Sequence, residues 1–201
     1  AKSVVYLYMA KLPNYFQYLM QTDFTNVFEW HKKFFQILEL SNRPKKWLLK
    51  DPSHIEHIPE ILKVYPNAKF IHCKRDARAT CWSNYETSFA EGNQYSYKLN
   101  EIVRHYNNCE DLMLFWKSKF QDRIFTLDYD AFTEEPKIIG SDLFDFLQLP
   151  WKQKYLDGKT NKRPVKTASQ LQVKKGIYRG SSQAWKNFEP FIGKVFQPLL
   201  D

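Results

Sequence analysis

Residues 70–85 read FIHCKRDARATCWSNY and place an arginine just after an apolar run, with a serine eight residues further on. We predict a buried strand over Lys69–Cys73 and a helix from Asp76 to about Ala90. Arg75 then lies at the end of the strand, and Ser83 lies two turns into the helix. A guanidinium holds phosphate in bidentate fashion, and a nearby hydroxyl can donate to another oxygen of the same group. The two side chains are therefore a candidate anion site.

A structural interpretation of these two residues is also open. Arg75 could pair with Asp76 or Glu86, and Ser83 could lie on a polar helix face without a ligand. Taken alone, the stretch is more typical of this second arrangement. The choice depends on which other residues the fold brings to the end of the strand.

Apolar runs and helical patterns alternate along most of the chain. Short apolar runs predict two further strands, at Trp47–Leu49 and Arg123–Leu127. Helical spacing over Val4–Leu40 is broken at Pro13 and predicts two helices, the second around Val27–Leu40. Further helices are predicted over Pro52–Val64, Leu99–Phe120, Thr133–Leu147 and Ser182–Leu200, the last interrupted at Pro190. The segment 158–181 has the glycine, serine, threonine and proline content of a long loop.

Strands that alternate with helices are typical of an α/β fold, in which right-handed crossovers build a parallel sheet covered by helices on both faces. Ligands of such sheets bind beyond the carboxyl ends of the strands. Lys50, Arg75 and the pair Asp128–Tyr129 each follow a predicted strand directly. The ammonium group of Lys50 is mobile and could stabilise negative charge that develops during a reaction. A lysine whose aliphatic stem packs at a strand end, without such a role, is the more ordinary interpretation. We expect these positions to form one site.

The composition predicts a single globular domain. The 201 residues suffice for a sizeable core, and 43% of them are hydrophobic and 17% aromatic. No apolar run approaches the length of a membrane span and no signal-peptide pattern opens the chain, so we expect a soluble protein. The three cysteines form no CxxC pair and support neither a disulfide framework nor a zinc knuckle. A reducing compartment, the cytoplasm, is the expected location.

The net charge of +8 has a local origin. Between Gly158 and Phe188 there are eight basic residues and no acidic one, and the remaining 22 basic residues equal the 22 acidic residues of the whole chain. Such a segment favours a polyanionic partner, for example a nucleotide. A solvated loop that only aids solubility would have the same composition.

Two other kinds of site are not expected. Nucleic-acid binding lacks support, because most aromatic residues follow helix-core spacing and no zinc-finger, homeodomain or RNP motif occurs. A metal site lacks support, because His54 and His57 share a helix face but have only Asp51 as an acidic neighbour in the sequence.

Several motifs follow one another in an order that resembles the sulfotransferase family. The resemblance is closest to the subgroup that includes tyrosylprotein sulfotransferases and bacterial enzymes of similar layout. The motifs lie within WLLKDPSHIEHIPEILKVYPNAKFIHCKRDARATCWSNY (Trp47–Tyr85), RIFTLDYDAFTEEP (Arg123–Pro136), LFDFLQLPW (Leu143–Trp151) and TASQLQVKKGIYRGSSQAW (Thr167–Trp185). One such match is weak, whereas the ordered set from Trp47 to Trp185 is specific.

The resemblance implies transfer of a sulfuryl group from 3′-phosphoadenosine 5′-phosphosulfate to a hydroxyl or amine of a small molecule or peptide, without a metal. It implies that Arg75 and Ser83 hold the 3′-phosphate of the donor and that Tyr129 lies at the nucleotide. By the same resemblance, Lys50 stabilises the transferring sulfuryl group and Ser169 lies near its bridging oxygens. Basic residues are implied to cover the phosphates, namely Lys174 and Lys175.

The phosphate loop of the family has no counterpart in the 201 residues. The first glycine is Gly92, and no glycine-rich phosphate-binding motif occurs. By this comparison we expect one P-loop-NTPase-like domain over 1–201 without the N-terminal strand and phosphate loop, made of a helical part (1–46) and a nucleotide-binding core (47–201). Either Val4–Tyr8 or a partner, which includes a second copy in a homo-oligomer, would then complete the sheet.

Three functions fit the pattern to different degrees. The first is a sulfotransferase with Lys50 and Ser169 at the sulfuryl group. The second is a binding module, or a catalytically incomplete fragment, that retains the 3′-phosphate site without the chemistry. A relative of the nucleotide kinases is disfavoured, because no Walker lysine is present.

Overall fold

A computed structural model describes residues 12–42, 46–87, 89, 93–157, 177 and 180–199 of the chain. The sheet of this described part has two parallel strands, β1 (Phe70–Lys74) and β2 (Ile124–Asp128). The strands pair along their whole length, and Lys74 lies opposite Asp128 at their carboxyl ends. The predictions of these two strands, and of an α/β fold, are confirmed, with each strand shifted by one residue along the chain.

Helices make up most of the remaining described residues. The α-helices are α1 (Pro13–Met20), α2 (Thr25–Asn42), α3 (Ile58–Val64), α4 (Ala77–Glu86), α5 (Leu99–Lys119), α6 (Tyr129–Glu134), α7 (Pro136–Phe146) and α8 (Glu189–Ile192). Short 3₁₀ helices cover Pro52–His57, Gln94–Tyr97, Gln121–Arg123, Gln153–Leu156, Ser181–Phe188 and Gly193–Phe196.

An aspartate caps the helix that follows each strand. Asp76 accepts a hydrogen bond from the backbone N–H of Ala79 (2.7 Å) at the start of α4. Asp128 accepts one from the backbone N–H of Ala131 (3.0 Å) at the start of α6. An aspartate at this position satisfies a backbone donor that has no partner within the helix. The chain therefore turns from sheet to helix within two residues of each strand.

Buried side chains form three clusters. The largest joins α4 and α5 to residues near the C-terminus, and its members Cys81 and Phe196 are 0% and 1% exposed. A second cluster packs the aromatic side chains of Phe24 and Phe28 against α3. The third lies between α3, α5 and β2 and consists of Ile58, Met113 and Ile124. The last described residues are thus part of the core.

The predicted strand over Trp47–Leu49 is wrong. No described segment pairs with these residues, and the Leu48 side chain is 84% exposed. Apolar composition favours a strand, but a strand forms only where a neighbour takes up its backbone hydrogen bonds. Trp47 instead packs against Phe35 (ring centroids 4.4 Å apart) and donates its Nε1–H to Glu39 (2.7 Å). Lys50 consequently follows an exposed connection and not a strand.

Three predicted helix boundaries also differ from the structure. The segment Thr133–Leu147 is split between α6 and α7, because Glu135 precedes a proline and leaves the helical region (φ −124°, ψ 57°). Helix α4 ends at Glu86, and the C-terminal segment consists of successive 3₁₀ and α turns. The predicted break at Pro13 is the point at which α1 begins. The predicted strand candidate Val4–Tyr8 lies outside the described residues.

Helix α2 presents an apolar row to solvent. Four side chains at helical spacing are each more than half exposed: Trp30, Phe34, Ile37 and Leu40. The other side of the helix reaches the core through Phe28, and Lys32 donates to the carbonyl of Val64 (3.3 Å). No helix in the part of the chain that the structure covers is long and apolar enough to cross a bilayer.

We expect Gly140→Ala to destabilise the fold. Gly140 is buried in α7, and a Cβ at this position would lie 2.5 Å from Cη2 of Trp151. The rigid indole would have to shift, and overpacking of this kind typically costs about 1–3 kcal/mol. Gly193→Ala is the control, since its Cβ would meet nothing nearer than 3.5 Å. Urea unfolding of both variants measures the free energies of unfolding, and equal values would contradict the prediction.

Candidate functional site

The parallel pairing brings the residues after β1 and β2 to one edge of the sheet. Lys74 and Asp128 are the last paired residues, so Arg75 and Tyr129 follow at adjacent positions. The Arg75 guanidinium carbon lies 5.8 Å from the centroid of the Tyr129 ring. An aromatic face attracts a guanidinium and restricts its orientation. Two residues that the sequence predicts for one site are therefore in contact.

A hydrogen-bond network fixes the other side of Arg75. Its Nε–H donates to the hydroxyl of Ser182 (2.8 Å), which in turn donates to Oδ1 of Asp130. The second oxygen of the same carboxylate accepts from the backbone N–H of Asp76 (2.9 Å). Ser182 is 5% exposed and belongs to the 3₁₀ helix near the C-terminus. The network thus joins the ends of both strands to a segment far along the sequence.

Three residues of this network, Arg75, Asp76 and Asp130, line a cleft of about 260 Å³. Its walls carry three cations and three carboxylates, and are formed by Lys74, Arg75, Asp76, Ala77, Arg78, Tyr106, Asp128 and Asp130. The carboxylates accept from backbone N–H groups, as described above. Each cation also has a defined contact, which for Arg78 is the Trp185 ring at 5.7 Å. A cleft with positioned cations at the end of a parallel sheet can bind an anionic group.

Glu110 supports the cleft from helix α5. Its carboxylate lies 3.3 Å from Nζ of Lys74 and 3.3 Å from Nε2 of His72, and its side chain is 12% exposed. The hydrogen bond from His72 is the largest influence that lowers the pKa of Glu110 below its ordinary value, and Lys74 contributes in the same direction. Glu110 is therefore ionised at neutral pH and holds Lys74 against the sheet.

Tyr106 contributes an aromatic wall with a buried hydroxyl. The hydroxyl has no hydrogen-bond partner in the described part of the chain, and burial raises the pKa of the phenol. Burial likewise raises the pKa of the Cys81 thiol to about 12. A thiol with such a pKa stays protonated and is a poor nucleophile. Neither group is therefore suited to act as a base or nucleophile at neutral pH.

Comparisons with known proteins identify the family and the fold of this chain. A family model described as "Sulfotransferase family" matches residues 1–153. The chain belongs to the sulfotransferase family. A curated protein of Aquifex aeolicus (strain VF5), described as uncharacterized, is 35% identical over 169 residues, which make up 83% of this chain and 22% of that protein.

A solved member of the family has a similar fold. The sulfotransferase STF9 from Mycobacterium avium superposes with a TM-score of 0.61 at 18% identity. The match covers 99% of this chain and 54% of STF9. This chain therefore spans about half the length of that enzyme and about a fifth of its Aquifex relative. At this identity the superposition establishes the fold and not the individual roles of residues.

The structure brings together only some of the residues that the sequence predicts for the site. Arg75 lines the cleft and contacts the ring of Tyr129, which is not itself a lining residue. Ser83 is half-buried on the second turn of α4, and Lys50 is exposed; neither lines the cleft. The three remaining candidates lie outside the described residues: Ser169, Lys174 and Lys175.

The sequence did not predict Asp130, which lines the cleft, or Ser182 and Glu110, which contact two of its cations. Asp130 directly follows Tyr129, so its position after a strand was a usable signal. Ser182 lies within a motif that carries the family resemblance, but nothing in the sequence places its hydroxyl at Arg75. Glu110 follows helical spacing on α5, and its contact with β1 depends on how the helix packs.

The histidines considered for a metal site have aromatic neighbours. His57 lies 4.4 Å from Phe24 between ring centroids, and His54 lies 6.2 Å from Phe28. Among the residues described, no group of three or more histidine, cysteine, aspartate or glutamate side chains is placed to hold a metal ion. Burial lowers the pKa of His54, which favours the neutral ring against these aromatic groups.

We expect Glu110→Gln to lower stability at neutral pH but not in acid. Because the folded pKa of Glu110 is lowered, its contribution is present above the ordinary value of 4.5 and is lost as the pH falls through the folded value. The difference in melting temperature between wild type and variant should therefore narrow below pH 4.5. Thermal unfolding from pH 7 to 3 measures it, with the exposed Glu29→Gln as control. A difference that is constant with pH would contradict this assignment.

Proposed function

We propose that this chain binds 3′-phosphoadenosine 5′-phosphosulfate and contributes to transfer of its sulfuryl group to a hydroxyl or amine. The observation that carries the proposal is the placement of Arg75. It follows β1 in a sulfotransferase-family chain, lines a cleft and is oriented by Tyr129 and Ser182. An oriented guanidinium is suited to bidentate recognition of a phosphate group.

In this proposal Arg75 and Ser83 hold the 3′-phosphate, the group that distinguishes this donor from ATP. Ser83 lies two turns beyond Arg75 along α4, so its hydroxyl would serve an oxygen on the helix side of the phosphate. Tyr129, whose ring faces the Arg75 guanidinium, would lie beside the nucleotide. The wall of the cleft formed by Lys74 and Arg78 adds positive charge near the same group.

The remaining candidate residues act on the other end of the donor. Lys174 and Lys175 would cover the phosphates. Lys50 and Ser169 would stabilise the transferring sulfuryl group and its bridging oxygens. A loose, in-line transfer needs positioned cations and a base more than a covalent intermediate, and these residue types fit that requirement. The acceptor would be the hydroxyl or amine of a small molecule or peptide.

One observation favours a second function, a binding module that holds the nucleotide without transfer. Lys50 is exposed and does not line the cleft that contains Arg75. A lysine that stabilises the sulfuryl group has to reach the same donor molecule as Arg75. The two functions differ in whether sulfate moves to an acceptor, and this can be measured.

We expect Arg75→Ala to lower the affinity for 3′-phosphoadenosine 5′-phosphate about tenfold or more, whereas the affinity for AMP should change little. A lost charge-assisted contact to phosphate typically costs about 1.5–3 kcal/mol, and AMP has no 3′-phosphate to lose. Isothermal titration calorimetry with both nucleotides gives the two dissociation constants. Arg75→Lys should show an intermediate loss, because it keeps the charge without the bidentate geometry.

Arg104→Ala is the control for removal of an arginine. Arg104 is 70% exposed on α5, where it pairs with Glu101. Its replacement should leave both nucleotides unaffected. Equal losses for the two nucleotides in Arg75→Ala would remove the 3′-phosphate assignment.

We expect Lys50→Ala to reduce sulfate transfer about 100-fold or more with little change in donor binding. Removal of a group that stabilises developing charge has an effect of this order on the chemical step. The assay follows labelled sulfate from the donor to a panel of phenols, alcohols and amines. Lys63→Ala, which removes a lysine that is 61% exposed, is the control. Binding of the nucleotide without transfer to any acceptor would favour the binding module.

A further inference from the structure

Two cations of the cleft contact the 3₁₀ helix Ser181–Phe188. Arg75 donates to Ser182, and Arg78 lies over the ring of Trp185. Trp185 is 7% exposed and packs against Phe196 in the largest core cluster. The segment therefore has a fixed position against α4, from which it can orient side chains of the cleft.

The directions of the hydrogen bonds in this network are determined by chemistry. The Ser182 hydroxyl has a single proton, which it donates to Oδ1 of Asp130. A lone pair of the hydroxyl then faces Arg75 and accepts from its Nε–H at 2.8 Å. Asp130 is itself held by the backbone N–H of Asp76 (2.9 Å). Each hydrogen bond of the network therefore has a single direction.

The turn that delivers Ser182 requires a glycine. Gly180 has φ 86° and ψ 0°, in the left-handed region that other residues adopt only with strain. A Cβ at Gly180 would meet nothing within 4 Å, so the requirement is one of backbone conformation and not of space. The left-handed conformation of Gly180 thus precedes the segment in which the Ser182 hydroxyl contacts Nε of Arg75.

We propose that Ser182 and Asp130 are positioning residues that set the orientation of Arg75 for the anion. The Ser182 hydroxyl fixes the Nε edge of the guanidinium, and with it the plane in which Arg75 would meet the phosphate. This inference rests on the proposed function, because the anion it concerns is the 3′-phosphate of the nucleotide.

The test compares Ser182→Ala, Ser182→Thr and Asp130→Asn in the full chain by calorimetry with 3′-phosphoadenosine 5′-phosphate and with AMP. Ser182→Ala should lower the affinity for 3′-phosphoadenosine 5′-phosphate about three- to tenfold, the usual effect of one hydrogen bond. The affinity for AMP should stay nearly unchanged. Ser182→Thr retains the hydroxyl and should restore most of the affinity. Asp130→Asn should also lower the affinity for 3′-phosphoadenosine 5′-phosphate more than the affinity for AMP, because the amide no longer fixes the direction of the serine proton.

Gln183→Ala is the matched control, since Gln183 is the exposed neighbour of Ser182 in the same 3₁₀ helix. Melting temperatures of all variants show whether the fold is retained. If Ser182→Ala unfolds, Ser182→Cys replaces it, because a thiol of similar size is only a weak acceptor.

Three outcomes overturn the inference. Unchanged affinity for 3′-phosphoadenosine 5′-phosphate in Ser182→Ala would show that the contact does not matter for the anion. Equal losses for both nucleotides, without rescue by threonine, would indicate a purely structural role. Tighter binding by Asp130→Asn would show that the carboxylate competes with the phosphate. If Arg75→Ala is also unselective, the proposed function fails as well, whereas a selective Arg75→Ala confines the failure to this inference.

Discussion

The parallel register of β1 and β2 is the constraint on which the candidate site depends. Because Lys74 lies opposite Asp128, the residues that follow both strands emerge at one edge, and Arg75 reaches Tyr129 without a specialised loop. A slip of one residue would turn every β1 side chain to the opposite face. The aspartate caps on α4 and α6 start the helices at the same edge, so local backbone chemistry and strand pairing support one arrangement.

The contacts of the cleft combine charged and neutral partners. Lys74 lies against the carboxylate of Glu110, whereas Arg75 and Arg78 contact a hydroxyl and aromatic rings. A hydroxyl and an aromatic ring each restrict the orientation of the guanidinium that they contact. Arg75 is held by the fold and lines a cleft, and its contact with an anion stays a prediction.

Local sequence signals predicted the parts of the fold that depend on neighbours along the chain. The apolar runs of β1 and β2, helix α5 and the position of Arg75 after a strand all follow from residue spacing. Trp47–Leu49 has the same apolar signal, but a strand also needs a partner, and pairing is not visible in a short run. Ser182 could not be predicted at the site, because its contact depends on how the C-terminal segment packs against α4. Glu110 could not be predicted at the site either, because its contact with β1 depends on how α5 packs against the sheet.

The contact between Arg75 and Ser182 joins residues 107 positions apart. During synthesis, β1, α4 and β2 are complete long before the residue that orients Arg75 has been added to the chain. Closing so long a loop carries an entropic cost that is recovered only when the last segment docks. The cleft is therefore expected to be among the last features to form as the protein folds on the ribosome, after the sheet that supports it.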